Sequence, residues 1–196
     1  MYKRFLFLIF SVASFQQMSA QIAVGEWREH LPYNQVISLA EGENTIYAAT
    51  PYSIFSLDKT EFSIERLNSI NGLNDVNLSV IAYHKPTSTL IVGYQNGNID
   101  LVKEEGVTNL SDIKRKNIIG GKQINTIHFI DQIAYFGTQF GIVVFDMQAL
   151  EIKDTWYIGP NGSSINVQDF NHNDTAFFAA TEEGFFSAPI SGVNHA

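Results

Sequence analysis

The sequence predicts an all-β fold, and within that class an incomplete β-propeller of four-stranded blades, each about 44 residues long. Two apolar runs, Ile133–Phe136 and Ile142–Phe145, flank a short link that contains glycine, which is typical of paired antiparallel strands. The unit occurs four times, and two small residues in each copy recur at steps of 44, 44 and 43 positions. These residues are Ala49 and Ser53, Gly93 and Gly97, Gly137 and Gly141, and Ala180 and Gly184. A regular period of this length indicates a propeller.

The composition supports a folded domain rich in strands. The chain has 196 residues, enough for one domain with a sizeable core. Fifteen Phe and eight Tyr against three Met favour strands over helices. The net charge of −8 argues against a broad electrostatic contact with nucleic acid. The sequence contains no cysteine, so packing rather than disulfide bonds has to hold the sheets together.

Residues 1–20 have the layout of a secretory signal peptide. Two basic residues precede the apolar run Phe5–Phe10, and Ser19-Ala20 offers a cleavage point before Gln21. The apolar run is short for a membrane span, and no later segment approaches about 18 consecutive apolar residues. We therefore expect export, to the periplasm or to the outer-membrane surface. An uncleaved amphipathic anchor is the alternative.

Residues 21–35 form a predicted N-terminal arm before the first blade. The arm shows little periodicity and contains Trp27, His30, Pro32 and Tyr33. The aromatic rings of Trp27 and Tyr33 are expected to attach the arm to the first blade by packing, in preference to stacking on a ligand.

Four blades are predicted after the arm, over residues 36–77, 78–123, 124–165 and 166–196. The first three have four predicted strands each, and the fourth has three, so the chain is expected to contain about 3.75 blades. Either the arm closes a small four-bladed ring, or the sequence is a fragment of a larger propeller. The absence of a capping repeat near the last residues favours the fragment.

The repeat resembles that of two-component-regulator propellers, in which Gly-Thr, two residues and a second Gly separate two apolar runs. Three further segments resemble the beginning of the PorZ-type surface proteins of the type IX secretion system of Bacteroidetes. These segments are Gly25–Asn34 (GEWREHLPYN), Ser111–Gly120 (SDIKRKNIIG) and Tyr157–Gly162 (YIGPNG). The resemblance extends over essentially all of the chain after residue 20, and the combination is more specific than any one blade motif.

The resemblance to PorZ-type proteins implies a non-enzymatic scaffold. Members of that family carry two propellers and a small C-terminal β domain. They join the sortase PorU, the outer-membrane protein PorV and PorQ in a complex that attaches secreted cargo to anionic lipopolysaccharide. The present sequence stops within the first propeller, so the resemblance does not imply functions that need the other parts.

Two other functional classes are compatible with a propeller, because the fold alone does not determine function. The first is the periplasmic, glycan-binding half of a hybrid two-component regulator, which would need a membrane span and kinase domains downstream. The second is a polysaccharide lyase or glycosidase, which would need paired carboxylates or a Tyr/His pair converging on the central channel. No motif supports the enzyme, and no catalytic residue, metal or cofactor is predicted.

Three histidines and two aspartates recur with the repeat. His84, His128 and His172 are spaced by 44 and 44 residues, but they fall at different positions of their predicted strands. Because side chains alternate along a strand, the three imidazoles are expected to point in different directions, which argues against a metal site. Asp58 and Asp146 each follow a small repeat residue by nine positions, and we expect them to cap the turn between the third and fourth strands.

Lys114, Arg115 and Lys116 form a basic run in an acidic chain. A short charge run usually belongs to a solvated loop. The alternative is a contact with an anionic glycan or an acidic partner surface. Guanidinium groups bind phosphate and carboxylate through paired hydrogen bonds, and lysine adds a point charge. These three residues are therefore the candidate partner-binding residues.

Overall fold

Four antiparallel sheets follow one another along the chain in this computed structural model, which describes residues 33–190. Each sheet is a meander, in which strands adjacent in sequence are hydrogen-bonded neighbours. The predicted all-β, blade-like architecture is therefore confirmed. The predicted signal peptide, the arm residues Trp27, His30 and Pro32, and the last six residues lie outside the described part of the chain.

The strands agree closely with the predicted repeat. Blade 1 contains β1 (Ser38–Glu41), β2 (Thr45–Ala49), β3 (Ser53–Asp58) and β4 (Ile64–Asn68). Blade 2 contains β5 (Leu78–His84), β6 (Thr89–Tyr94), β7 (Ile99–Lys103) and β8 (Gly106–Leu110). Blade 3 contains β9 (Ile124–Ile130), β10 (Ile133–Thr138), β11 (Gly141–Asp146) and β12 (Glu151–Trp156). Blade 4 contains β13 (Val167–His172), β14 (Ala176–Thr181) and β15 (Gly184–Pro189).

Three of the links between strands contain short helical turns that the sequence reading did not predict. Two are 3₁₀ turns, Lys85–Thr87 and Pro160–Gly162, each with proline at its start. The third is α1 (Asp112–Arg115), in the link between blades 2 and 3 that was predicted as a loop. The helical turn forms there because Ile113 is buried in the core between these blades, which fixes one side of the link.

The core consists of three apolar clusters, one between each pair of successive blades. We call the side of a blade that faces the next blade its front face, and the side that faces the preceding blade its rear face. In blade 3, Phe136 on the rear face packs with Ile91 of blade 2. Tyr135, the adjacent residue, points to the front face and packs with Phe170 of blade 4. Strand alternation therefore supplies an apolar surface on both sides of each blade.

The small repeat residues are small because the next blade approaches closely at that point. A Cβ atom added to Gly93 would lie 3.1 Å from the Cβ of Ile124 on the innermost strand of blade 3. One added to Gly137 would lie 2.5 Å from Thr126 Cγ2 and 3.1 Å from Val167 Cγ1 of blade 4. Thr126 belongs to the same blade as Gly137, but the contacts with Ile124 and Val167, both 3.1 Å, are with the next blade. They are shorter than a relaxed carbon–carbon contact, so a larger residue would force the blades apart.

The turn between the second and third strands is closed by a threonine in three of the blades. The Oγ1 atoms of Thr50, Thr138 and Thr181 donate to backbone carbonyls three residues later, at distances of 3.1, 2.8 and 2.9 Å. Blade 2 has Tyr94 at this position. Blade 2 differs from the others because the Tyr94 hydroxyl takes part in a buried polar cluster, which is described below.

Asp58 and Asp146 cap the turns that the sequence predicted. Asp58 Oδ1 accepts hydrogen bonds from two backbone N–H groups at 2.7 and 2.8 Å, and Asp146 Oδ1 accepts two at 2.8 and 2.9 Å. These backbone donors hold the pKa of each carboxyl below its ordinary value, because they stabilise the charged form. The prediction from spacing is therefore confirmed for both turns.

Candidate functional site

The basic run lies on the link between blades 2 and 3, and Lys122 and Ile113 hold this link in place. Lys122 Nζ donates to the carbonyl oxygens of Lys114 and Lys116, at 2.7 and 2.6 Å, and so closes the link into a loop. The buried Ile113 holds the other side of the loop against the blades. The exposed side chains of Arg115 and Lys116 therefore lie on a loop whose backbone is held in place.

The structure separates the three basic residues into two kinds. Lys114 Nζ lies 2.7 Å from Asp75 Oδ2, so its charge is compensated by a residue of the preceding link. Arg115 and Lys116 are exposed, and neither makes an ion pair with any of residues 33–190. The charge available to a partner is thus concentrated on Arg115 and Lys116.

Asp75 links the neighbouring loops electrostatically. Burial alone would raise the pKa of the Asp75 carboxyl, but hydrogen bonds from Lys114, from the Asn96 amide and from the Val76 backbone N–H outweigh burial and lower it. A depressed pKa means that the ionised carboxylate stabilises the folded chain at neutral pH. This contribution is lost as the pH falls through the folded-state pKa, below the ordinary value of 3.8.

We expect the Lys114→Gln substitution to raise the pKa of Asp75 toward 3.8, because the strongest charged donor is removed. A carboxyl titration followed by NMR would measure the pKa in both chains. Lys85→Gln is the control, since Lys85 is exposed and lies on the link between β5 and β6. An unchanged Asp75 titration in Lys114→Gln would show that the ion pair does not form in solution.

A buried polar cluster lies beside the link between blades 1 and 2, and it was not predicted from the sequence. Asp100 on β7 is fully buried, and its Oδ2 accepts from the Tyr94 hydroxyl at 2.7 Å and from the Asn74 backbone N–H at 2.8 Å. Its Oδ1 accepts from the side-chain amides of Asn74 and Asn109, at 3.0 and 2.8 Å. Burial raises the pKa of Tyr94, and the hydrogen bond to Asp100 raises it further. The cluster fixes the link between blades 1 and 2.

The histidines point to different faces of their blades, as expected, but two of them nevertheless meet, which the sequence did not predict. His128 Nε2 lies 2.8 Å from His172 Nδ1, so these imidazoles meet between blades 3 and 4. Alternation does place them on opposite faces of their own blades, but the front face of blade 3 meets the rear face of blade 4. Burial lowers the pKa of His128, and His172 lowers it further. His84 lies elsewhere, with Nε2 2.9 Å from the Asp131 carbonyl oxygen.

No group of three or more His, Cys, Asp or Glu residues within the described residues is arranged to hold a metal ion. Of the four arm residues singled out from the sequence, the structure describes Tyr33, which packs edge-to-face on Phe55 with ring centroids 6.2 Å apart. The guanidinium of Arg66 lies 5.0 Å from the centroid of the Tyr33 ring. Tyr33 therefore contacts the outer strands of blade 1.

A cavity of about 470 Å³ opens between blades 3 and 4, beside the outer edge of β15. Its walls include Trp156 of blade 3 and Phe177 and Phe186 of blade 4. The Trp156 indole N–H donates to Asp154 Oδ2 at 2.9 Å, so the ring is held in place. In the other three blades a fourth strand lies beyond the third, and the described part of blade 4 has none. The cavity therefore lies between blade 3 and the three described strands of blade 4.

The repeat, the sheet topology and the inter-blade packing define the chain as a β-propeller module, a fold used widely for binding and scaffolding. A scan against protein families matches residues 46–194 to the family described as the type IX secretion PorZ N-terminal β-propeller domain. The match spans most of the chain, which therefore belongs to the PorZ N-terminal β-propeller family. A search of the curated proteins found no match.

Solved structures agree with this fold. PorZ, a surface component of the type IX secretion system of Porphyromonas gingivalis, superposes with a TM-score of 0.69 at 24% identity, over 80% of this chain and 21% of that one. The extracellular domain of the hybrid two component system BT4673 from B. thetaiotaomicron gives 0.65 at 13% identity, over 83% and 22%. The designed protein Ika4 gives 0.57 at 12% identity, over 84% and 99%. The chain thus spans about a fifth of the length of the two natural structures.

Within residues 33–190, no helix has both the length and the apolar character needed to cross a membrane.

Proposed function

We propose that this chain is a non-enzymatic binding and scaffolding module of the cell envelope that acts in type IX secretion. The observation that carries the proposal is the family match over residues 46–194. The likeness to a surface component of that system in P. gingivalis supports the same role. Residues 1–20 would direct export and residues 21–35 would form the arm, which gives the propeller a periplasmic or outer-membrane surface location.

The partners of this module are proposed to be proteins of the PorU, PorV and PorQ kind, together with anionic lipopolysaccharide. The exposed side chains of Arg115 and Lys116 are the proposed contact. They lie next to each other on a loop that Lys122 and Ile113 hold in place, so little ordering is needed when an anion binds. Lys114 supports the loop through Asp75 and contributes less to the contact.

We expect the double variant Arg115→Ala, Lys116→Ala to lose most binding to purified anionic lipopolysaccharide at low salt, because both uncompensated charges of the loop are removed. Binding would be measured by surface plasmon resonance with the intact chain. The matched control is Lys85→Ala, Lys103→Ala, which removes the same charge from other links and strands of blade 2. If both double variants lose binding equally, the attraction is due to net charge alone. If neither does, this loop is not the contact.

A second candidate function is a glycan-sensing propeller of a hybrid two-component regulator. The structural likeness to the extracellular domain of BT4673 favours it. The two functions differ in the ligand, since a sensor of this kind would bind oligosaccharides, neutral ones included. Calorimetry with neutral oligosaccharides and with anionic lipopolysaccharide therefore separates them. Binding of the neutral sugars that survives the Arg115→Ala, Lys116→Ala change would support the sensor.

A further inference from the structure

The described links between blades all lie at one end of the propeller. Strands alternate in direction within each blade, so the turn between the second and third strands and the link to the next blade share an end. The register shows this directly, because Ser53 at the start of β3 is paired with Asn68 at the end of β4. We call this end the link end, and the end with the remaining turns the opposite end. The three links are residues 69–77, 111–123 and 157–166.

Contacts between neighbouring loops make the link end one continuous surface. The ion pair of Lys114 and Asp75, at 2.7 Å, joins the first link to the second. The backbone N–H of Gln139, in the turn between β10 and β11, donates to the second link at 3.1 Å. The ring of Phe140 in the same turn lies 6.5 Å from that of Tyr157 in the third link, measured between centroids. The surface therefore extends across blades 1 to 3.

Exposed apolar side chains are concentrated at the link end. Ile119 is 97% exposed and Ile70 is 60% exposed, and both lie on links. Three further residues at this end are 39–42% exposed, namely Tyr52, Val76 and Tyr157. Ile119 belongs to none of the three apolar clusters, whereas the preceding Ile118 packs against one of them. Burial in the described core therefore does not explain why residue 119 is apolar.

Ile119 lies at the tip of the second link. Lys122 Nζ donates to the carbonyl oxygens of Lys114 and Lys116, which closes the loop that carries Ile119. Gly120 follows with a φ of 100°, in the left-handed region that favours glycine, and it turns the chain back toward blade 3. A Cβ atom added to Gly120 would have no atom within 4 Å, so the tip is clear of the blades. The apolar side chain thus projects from the same loop as the basic run.

The two ends of the propeller differ in charge. At the link end Arg115 and Lys116 are exposed and make no ion pair within residues 33–190. The acidic residues of the three links are Asp112 and Asp75, and the second is already paired. The turns of the opposite end carry one exposed lysine, Lys85. They carry six exposed carboxylates, at Glu43, Glu61, Glu104, Glu105, Asp131 and Asp174.

We propose that the link end binds the surface of an anionic lipid bilayer. Arg115 and Lys116 contact the phosphates of the headgroups, and Ile119 inserts at the boundary with the acyl chains. This inference rests on the proposed contact of the two cations with an anion, and it deepens that contact by assigning it to the lipid part of the leaflet. A bilayer surface offers negative charge directly beside hydrocarbon, which is the combination that this loop presents.

The distribution of charge favours a bilayer over a partner protein with a single pocket. An extended anionic plane attracts the link end and repels the carboxylates of the opposite end, so it selects one orientation of the propeller. A discrete pocket would need only the loop itself. Blade 4 adds Glu182 and Glu183 to the link end, so the contact is confined to the links of blades 1 to 3.

The test is co-sedimentation of the exported chain, from Gln21 onward, with lipid vesicles. The chain begins there because the apolar run at residues 5–10 would itself bind lipid. We expect binding to vesicles of phosphatidylglycerol and phosphatidylcholine, and little binding to phosphatidylcholine alone. The net charge of −8 opposes binding to an anionic vesicle unless a local surface such as the link end provides it.

We expect Ile119→Ser to weaken this binding by about fivefold or more, because it removes the inserted apolar side chain. The double variant Arg115→Ala, Lys116→Ala should weaken it by about tenfold or more at low salt. Phe62→Ser is the matched control, since Phe62 is a large exposed apolar residue in a turn of the opposite end. These positions are exposed, so the variants should fold, which circular dichroism would verify.

A site-specific label gives an independent readout of insertion. The chain has no cysteine, so Ile119→Cys carries a single thiol for an environment-sensitive fluorophore. Its emission should shift to the blue and be quenched by spin-labelled lipid when vesicles are added. The same label at Glu104→Cys, in a turn of the opposite end, should stay in water.

Binding to phosphatidylglycerol vesicles that is reduced in Ile119→Ser and kept in Phe62→Ser would support the proposal. No binding to these vesicles, equal binding by Ile119→Ser, or a label at residue 119 that stays in water would overturn it. The proposed function would stand in those cases if lipopolysaccharide binding still required Arg115 and Lys116. The anion would then be recognised through its saccharide part.

Discussion

The Asp100→Ala substitution is expected to lower the free energy of unfolding by about 3–5 kcal/mol, because several hydrogen-bond donors lose their acceptor at once. The Tyr94 hydroxyl and the side-chain amides of Asn74 and Asn109 all donate to this one carboxylate. Asp100 is completely buried, so water cannot replace it without opening the blade. Urea denaturation followed by circular dichroism at neutral pH would measure the loss.

Two further variants show whether the loss belongs to the cluster. Tyr94→Phe removes a single donor and should cost about 1–2 kcal/mol. Asp174→Ala removes an exposed carboxylate from the turn between β13 and β14 and should change the stability by less than about 0.5 kcal/mol. An Asp100→Ala chain as stable as Asp174→Ala would mean that the cluster does not hold the link between blades 1 and 2.

The Gly137→Val substitution is expected to cost about 2–3 kcal/mol, because the added side chain would occupy space that blade 4 already fills. The nearest atoms are Thr126 Cγ2 and Val167 Cγ1, one on each of the two innermost strands that meet at this point. Valine is itself well suited to a strand, so the backbone conformation is not the source of the loss. The same denaturation experiment would measure it.

Ala180→Val is the matched control for this prediction. Ala180 holds the same repeat position in blade 4, but it is exposed, and within the described residues no blade packs on it. The change should therefore be neutral to within about 0.5 kcal/mol. Equal losses in the two variants would contradict the view that small residues are required by the approach of the next blade.

The sequence was sufficient to predict the blades because the features that define a blade are local. Spacing of Gly93 and Gly137 gave the period, strand alternation gave the strands, and Asp58 and Asp146 gave two turns that the structure contains. Each of these features depends on residues that are neighbours along the chain or at a fixed repeat distance. Such regularities can be recognised in the sequence without knowledge of how the blades pack against each other.

Contacts between blades could not be predicted from the sequence in the same way. His128 and His172 meet because the two blades present opposite faces to each other, a relation that the alternation within one strand does not reveal. The pairing of Lys114 with Asp75 joins two separate links, so the basic run looked uniform in the sequence. Asp100 gave one usable signal, since it interrupts the apolar strand Ile99–Lys103, but its partners lie on three other segments.

The meander topology affects how the chain reaches its folded state. Every described sheet is formed from one continuous stretch of about 23–33 residues, and each strand is paired with its neighbour in sequence. A blade can therefore form its hydrogen bonds as soon as its own residues are available, without waiting for a distant part of the polypeptide. Assembly can then advance from the first residues toward the last, in the direction in which a chain is synthesised.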